Sequence, residues 1–357
     1  NPVTGLIEKL VSCKINILYS SERMLKSGDA RTYATASVLS TGDWYRLAIE
    51  KDGIYQLTYN DLAAMGMNVQ GLSSSQIRVH GYGGGMLPER AGDVRYDDIP
   101  ELSVMVNDGG DGQFNAGDYL LFYAKGPRKW SFDAQADIFK HEDHLYSEKS
   151  YYFVTSGSPG QSGKRMQEFP QPVCSNPAVI NTYNWYDAYE PNEYSLIISG
   201  KEWYGDVFDV IDSRKYDFSN FDADLSAPVN VRLSVAARSA VASSFTLTGA
   251  GQTFTRSVSA ISSQSNTAFA VAGNDIFTIG QPSLPLEFTL RYNQTTGSSK
   301  GWLNFIEVNA TGKLNFPGGQ FGFRRTGQQG VVEYHIGQVN SSVQLWDVTD
   351  PLNTGYI

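Results

Sequence analysis

Between Val229 and Val235 every second residue is apolar: Val229, Val231, Leu233 and Val235 fall on one face, with Asn230, Arg232 and Ser234 between them. A period of two fits a half-buried strand and no helix. The same pattern recurs at short intervals in SSFTLTG, LPLEFTLRY and GWLNFIEVN, separated by Gly, Ser and Asn turns. Several short alternating strands at such spacing predict a β-sandwich of jelly-roll type. No strand–helix alternation occurs anywhere, which disfavours a doubly wound enzyme fold.

The first half is also strand-rich. DWYRLAIEKDGIYQL, 43–57, carries two alternating runs around Asp52-Gly53 and predicts a hairpin with a type I′ turn. TYNDLAAMGM follows, with Thr58 as helix N-cap and Gly66 as the C′ stop, so a short helix is expected. ELSVMV, YLLFYA and SYYFVT read as further strands. The Ser/Gly/Pro-rich SGSPGQSGKR and the Pro-spaced FPQPVCSNPAV read as loops. The expectation is a mainly β chain of two β-rich domains, the second a β-sandwich, with one or two short helices in the first. The boundaries are residues 1–184, 185–345, and 346–357 as the start of a linker.

Composition narrows the function classes. Tyr (21), Phe (18) and Gly (35) are abundant, which favours strands and tight turns. A net charge of -9 argues against nucleic-acid binding, which requires concentrated Lys and Arg. No run approaches the roughly 18 apolar residues of a membrane helix. The opening NPVTGLIEKL lacks the layout of a signal peptide and reads as an internal start. Two cysteines, Cys13 and Cys174, suffice neither for a structural zinc site nor to decide whether they pair.

NDGGDGQFNAGD, Asn107 to Asp118, is the candidate metal site. With Gly112 as the sharp turn, an EF-hand-like register places Asn107, Gly109, Asp111, Gln113, Asn115 and Asp118 at positions 1, 3, 5, 7, 9 and 12. Gln113 would contribute its backbone carbonyl, and Asp108 could substitute for the glycine that lacks an oxygen. Only two carboxylates sit in register. The competing reading is a Gly/Asp connector between ELSVMV and YLLFYA; calcium is the only cofactor in view.

Other motifs read as structure. GYGGGM, 81–86, has neither the Lys-Ser/Thr of a phosphate loop nor a following helix, and predicts a backbone corner. His80-Gly81 after QIRV resembles a peptidase His-Gly, but neither cysteine follows a buried strand. KHEDHLY, with His141 and His144 three residues apart, reads as a solvated turn, with a surface metal clip as the rival reading. Trp130, Trp185, Trp203 and Trp302 would suit a sugar-stacking face or, in a β-rich chain, its core. The sequons at Asn293, Asn309 and Asn340 carry no weight.

Taken in order, GDWYRLAIEKDGIYQLTYNDLAAMGM, IRVHGYGGGMLPE, DGQFNAGDYLLFYAKGP, YSEKSYYFVT, NEYSLIISGKEWYGDVFD and QLWDVTDP resemble the amino-terminal part of the type IX secretion sortases. These belong to the gingipain-like cysteine peptidases of Bacteroidetes. The resemblance spans nearly the whole chain. It implies a cell-surface enzyme that removes C-terminal sorting domains from secreted cargo and joins the cargo to anionic lipopolysaccharide. It also implies a caspase-like catalytic domain after QLWDVTDP, so no catalytic residue falls within this chain. The partners implied are that peptidase domain, an outer-membrane β-barrel with the other attachment components, and the cargo. Two rival roles stand beside the scaffold: a carbohydrate-binding or adhesive module, and an inhibitory prodomain.

Overall fold

The computed structural model describes residues 13–19, 33–90, 92–157, 160–198, 200–261, 268–339 and 342–357. The 1–12 segment, read as an internal start, and the sequon at Asn340 lie outside them. The chain is mainly β, with one α-helix and two single-turn 3-10 helices among the described residues.

The alternating runs of the second half form two antiparallel sheets. One orders Thr182–Tyr189, Lys300–Lys313, Val229–Arg238 and Val271–Ile279, with Gly205–Phe208 also pairing on Lys300–Lys313. The other orders Ser213–Asp217, Glu287–Asn293, Ser243–Gly249 and Gln252–Val258. Leaving aside Gly205–Phe208, the strands numbered along the chain give 1-8-3-6 facing 2-7-4-5. That is the jelly-roll order, two Greek keys folded together. One core joins the sheets: Val229, Val231, Leu233 and Val235 meet Phe245, Leu247, Phe288 and Leu290, all buried. The face that the period-two pattern marked is therefore the inner face.

The first half builds two three-stranded sheets, Tyr45–Ile49 with Ser150–Ser156 and Ile77–His80, and Gly53–Thr58 with Tyr119–Ala124 and Met105–Asn107. Ile77, Val79, Leu120, Phe122, Tyr152 and Val154 share one core beneath them. The helix Tyr59–Ala64 forms as its caps dictate. Thr58 and Asp61 make a reciprocal capping box, and Gly66 takes the left-handed conformation (φ 92°) that ends it. Leu62 anchors the helix in the core.

The hairpin expected at Asp52-Gly53 does not form. Tyr45–Ile49 pairs with Ser150–Ser156, while Gly53–Thr58 pairs with Tyr119–Ala124 in the other sheet. A type I′ turn needs positive φ at both central residues, and neither Asp52 nor Gly53 has it. The Asp52 carboxylate instead accepts the Gly126 N–H at 2.8 Å, so the segment turns a corner between sheets.

A third core lies outside both. Gly330–Ile336 pairs with Cys13–Tyr19 and Ala178–Ile180. It buries Val332, Tyr334 and Ile336 against Ile180, Tyr183 and Leu314. Residues 346–357, assigned to a linker by sequence, carry Trp346–Asp347 and Gly355–Tyr356, the latter pairing in parallel with Gln167–Glu168. The Leu352 carbonyl accepts the Ser103 N–H at 3.1 Å and the Lys164 ammonium at 2.7 Å. This segment is thereby tied back to the first core.

Candidate functional site

The first core, the jelly roll and the third core enclose a cleft of about 2760 Å³, bordered by Asp52, Arg128, His141, Glu190, Phe323 and Arg324. One wall is a two-stranded hairpin, Lys129–Asp133 with Ile138–Glu142. Asp133 organises the turn by accepting the Gln135 and Ala136 N–H groups.

The hairpin is seated on the jelly roll by side chains, not by a strand ladder. Asn309 accepts the Phe139 N–H at 2.6 Å and donates to the Phe139 carbonyl at 3.0 Å. Two residues earlier on the same strand, Glu307 accepts the His141 N–H at 2.9 Å and the His141 ring Nδ1 at 2.5 Å. The other ring nitrogen, Nε2, bonds the Glu190 carboxylate. Arg128 holds Asp143 through two nitrogens and donates to the Ala188 carbonyl at 3.0 Å. Phe139 stacks on Tyr186 with ring centres 4.3 Å apart, and Trp130 covers Tyr186 at 4.5 Å.

Electrostatics follows from this geometry. Burial disfavours the charged His141 ring, but the two carboxylates outweigh it and raise its pKa above the ordinary histidine value. The Glu307 side chain is fully buried; the Arg232 guanidinium stands 3.5 Å from its second oxygen and lies over the Phe305 ring. Burial pushes the Asp52 carboxyl up, partly offset by the Gly126 N–H.

KHEDHLY is therefore not the solvated turn read from sequence. His141 sits in a strand and is buried, because Phe139 and His141 point at the jelly roll on alternate positions. His144 lies beyond the strand and accepts the Tyr146 N–H at 3.1 Å. The alternation of Phe139 with His141 was the available signal; the buried acid facing it, Glu307, lies in a run whose polar residues read as the solvent face.

In the Asn107–Asp118 loop each acidic side chain has a local donor. Asp108 accepts the Gly110 N–H at 3.0 Å and the Ser74 hydroxyl, which holds its carboxyl below the usual range. Asp111 accepts the Gln113 N–H at 2.8 Å and the Asn115 amide at 3.1 Å. Asp118 accepts the Asn115 N–H at 2.5 Å, and Asn107 donates to the Tyr119 hydroxyl at 3.0 Å. Gly109 and Gly112 both take positive φ, and Phe114 plugs the first core. Among the described residues no three His, Cys, Asp or Glu side chains converge as a metal cage. A bound cation would have to replace several of these bonds.

The glycine corner is confirmed as structure. A Cβ at Gly81 would lie 2.3 Å from the Tyr152 ring, and one at Gly84 would lie 2.4 Å from Pro127 Cα. His80 is buried beneath Trp44, its Nδ1 3.2 Å from the Ile99 carbonyl. Cys174 is exposed with a free thiol; the Cys13 side chain lies outside the described residues. The four tryptophans are spread over different settings. Trp302 is buried, Trp185 stacks on Phe221 at 3.9 Å, Trp130 belongs to the hairpin seat, and Trp203 is exposed. Asn309, one of the sequons, is buried in the seat.

No family model matches the chain, and no curated protein does. Solved structures do. Dimeric latent PorU from Porphyromonas gingivalis superposes with a TM-score of 0.75 at 24% identity, over 90% of this chain and 29% of the PorU chain. The two share a fold. The chain thus spans under a third of the PorU chain it matches. The likeness to PorU expected from the sequence segments is met at the level of architecture.

Proposed function

We propose that this chain is the non-catalytic N-terminal region of a type IX secretion sortase of the PorU kind. One observation carries the reading: nine-tenths of the chain follows the PorU fold while accounting for 29% of that molecule. In this reading the described parts of the two β-rich domains form a rigid platform at the outer face of the outer membrane. The platform holds a caspase-like peptidase domain against an outer-membrane β-barrel and the other attachment components. The parent enzyme would cleave the sorting domain of secreted cargo by thiolate attack, form an acyl-enzyme, and pass the acyl group to anionic lipopolysaccharide or water. Side-chain clasps support a platform role, because they fix the hairpin Lys129–Glu142 to the jelly roll and the strand Gly53–Thr58 to Gln320 beside the third core.

The test is direct. The purified 357-residue chain should leave a sorting-domain substrate intact, and deleting it from the full-length parent should abolish cargo attachment at the surface. Turnover by the chain alone would overturn the non-catalytic assignment; undiminished attachment after deletion would overturn the platform.

A second reading draws on the description of that PorU as latent. An inhibitory prodomain would lower the activity of the isolated catalytic domain when added in trans, whereas a platform would not.

A further inference from the structure

The buried ion pairs of the hairpin seat do more than fix the parts of the platform: their arrangement is that of a proton-dependent fastening. His141 is pinned from both sides. Nδ1 and the backbone N–H face Glu307, and Nε2 faces Glu190. A ring that satisfies two carboxylates must donate from both nitrogens, which only the imidazolium can do. The two acids are not equivalent. Glu307 is fully buried and keeps the backbone N–H of residue 141 and the nearby Arg232 guanidinium whatever the ring does. Glu190 has 16% of its side chain exposed at the cleft and bonds the ring through Nε2.

We infer that His141 is the pin of an alkaline-release latch between the hairpin Lys129–Glu142 and the end of the strand Thr182–Tyr189. On losing one proton the ring keeps Nδ1–H on Glu307, since that carboxylate has no water to turn to. Nε2 becomes an acceptor facing the Glu190 carboxylate, and the two repel. Glu190 swings into the cleft, and the hairpin loses one of its two side-chain anchors to the charged cluster.

The surrounding charges set the sign. From its own hairpin and flank His141 has Lys140, Glu142, Arg128 and Asp143; Arg128 and Asp143 pair with each other, and Lys140 pairs with Asp133. From the jelly roll it faces Glu190, Glu307 and, behind Glu307, Arg232. Trp130 and Phe305 flank the ring without charge. Both carboxylates favour the charged ring, so its folded pKa lies above the unfolded value of about 6.5. The fastening is fully present below that value and is lost as pH rises through the raised folded pKa.

Hydrogen–deuterium exchange of the whole chain tests the latch. Uptake is read in peptides covering 129–142, each referenced to its unstructured exchange rate at the same pH, at about pH 6 and about pH 9. Protection in the wild type should fall by roughly tenfold, the scale of one charge-assisted hydrogen bond. The variant Glu190→Gln offers an amide donor to a neutral ring, and its hairpin protection should be the same at both values. Equal protection of the wild-type hairpin across the range would overturn the latch. So would an equal fall in Glu190→Gln, or a loss of protection spread evenly over the chain.

Discussion

The side-chain amide of Gln320 pairs with both backbone groups of Ile54, accepting its N–H and donating to its carbonyl, 2.7 Å each way. Gly53–Thr58 pairs on one side only, with Tyr119–Ala124, so Gln320 covers its open edge as a short length of strand would. Asn309 does the same for Phe139. The two amides differ in setting, and that difference predicts their worth. Gln320→Ala exposes Ile54 to water and should cost about 1 kcal/mol in denaturant unfolding. Asn309→Ala strands two buried backbone groups and should cost about 2–4 kcal/mol. Equal losses would mean that the setting does not matter.

The capping box gives a pH-dependent prediction. The Thr58 hydroxyl and N–H hold the Asp61 carboxyl below its ordinary value. A depressed folded pKa contributes stability that is present above the unfolded value and lost as pH falls through the folded one. Asp61→Asn should therefore be less stable than wild type near neutrality, with the gap closing in acid. A gap that stayed constant down to about pH 2 would show that charge plays no part.

Gly84 packs its bare Cα against Pro127 and donates its N–H to the Gly126 carbonyl at 3.3 Å. Gly84→Ala forces a methyl into backbone, which cannot rotate away. It should cost at least about 1–3 kcal/mol by thermal or denaturant unfolding. Gly109→Ala meets no atom within 4 Å and suffers only from its left-handed backbone, so it should cost about 1 kcal/mol.

Calcium in the Asn107–Asp118 loop has a simple test. Because Asp108, Asp111 and Asp118 already have donors within the loop or from Ser74, we expect the same melting midpoint in calcium and in chelator. A midpoint that climbs with calcium concentration would place the ion there by linkage.

What could be read in the sequence was local or periodic. Val229 to Val235 declared its buried face because every second side chain meets the opposite sheet. Thr58 and Gly66 marked the helix because caps act within one turn. The failures were matters of partner choice. Asp52-Gly53 carries hairpin residues, but its flanking strands find better partners at 119–124 and 150–156. Gly330–Ile336 alternates like the jelly-roll strands yet joins a separate sheet with Cys13–Tyr19. Glu307 looks like a solvent-facing acid until the hairpin that covers it is in place.

The strand Lys300–Lys313 has a consequence for the order of assembly. Its Asn309 and Glu307 supply the seat for residues 139 and 141, which lie 170 and 166 positions earlier in the chain. As the polypeptide emerges from the ribosome, the backbone groups of Phe139 and His141 must wait unpaired until that late strand arrives. A hairpin made well before that strand is thus among the last parts to be finished, and a helper that shields incomplete sheets would find its substrate there.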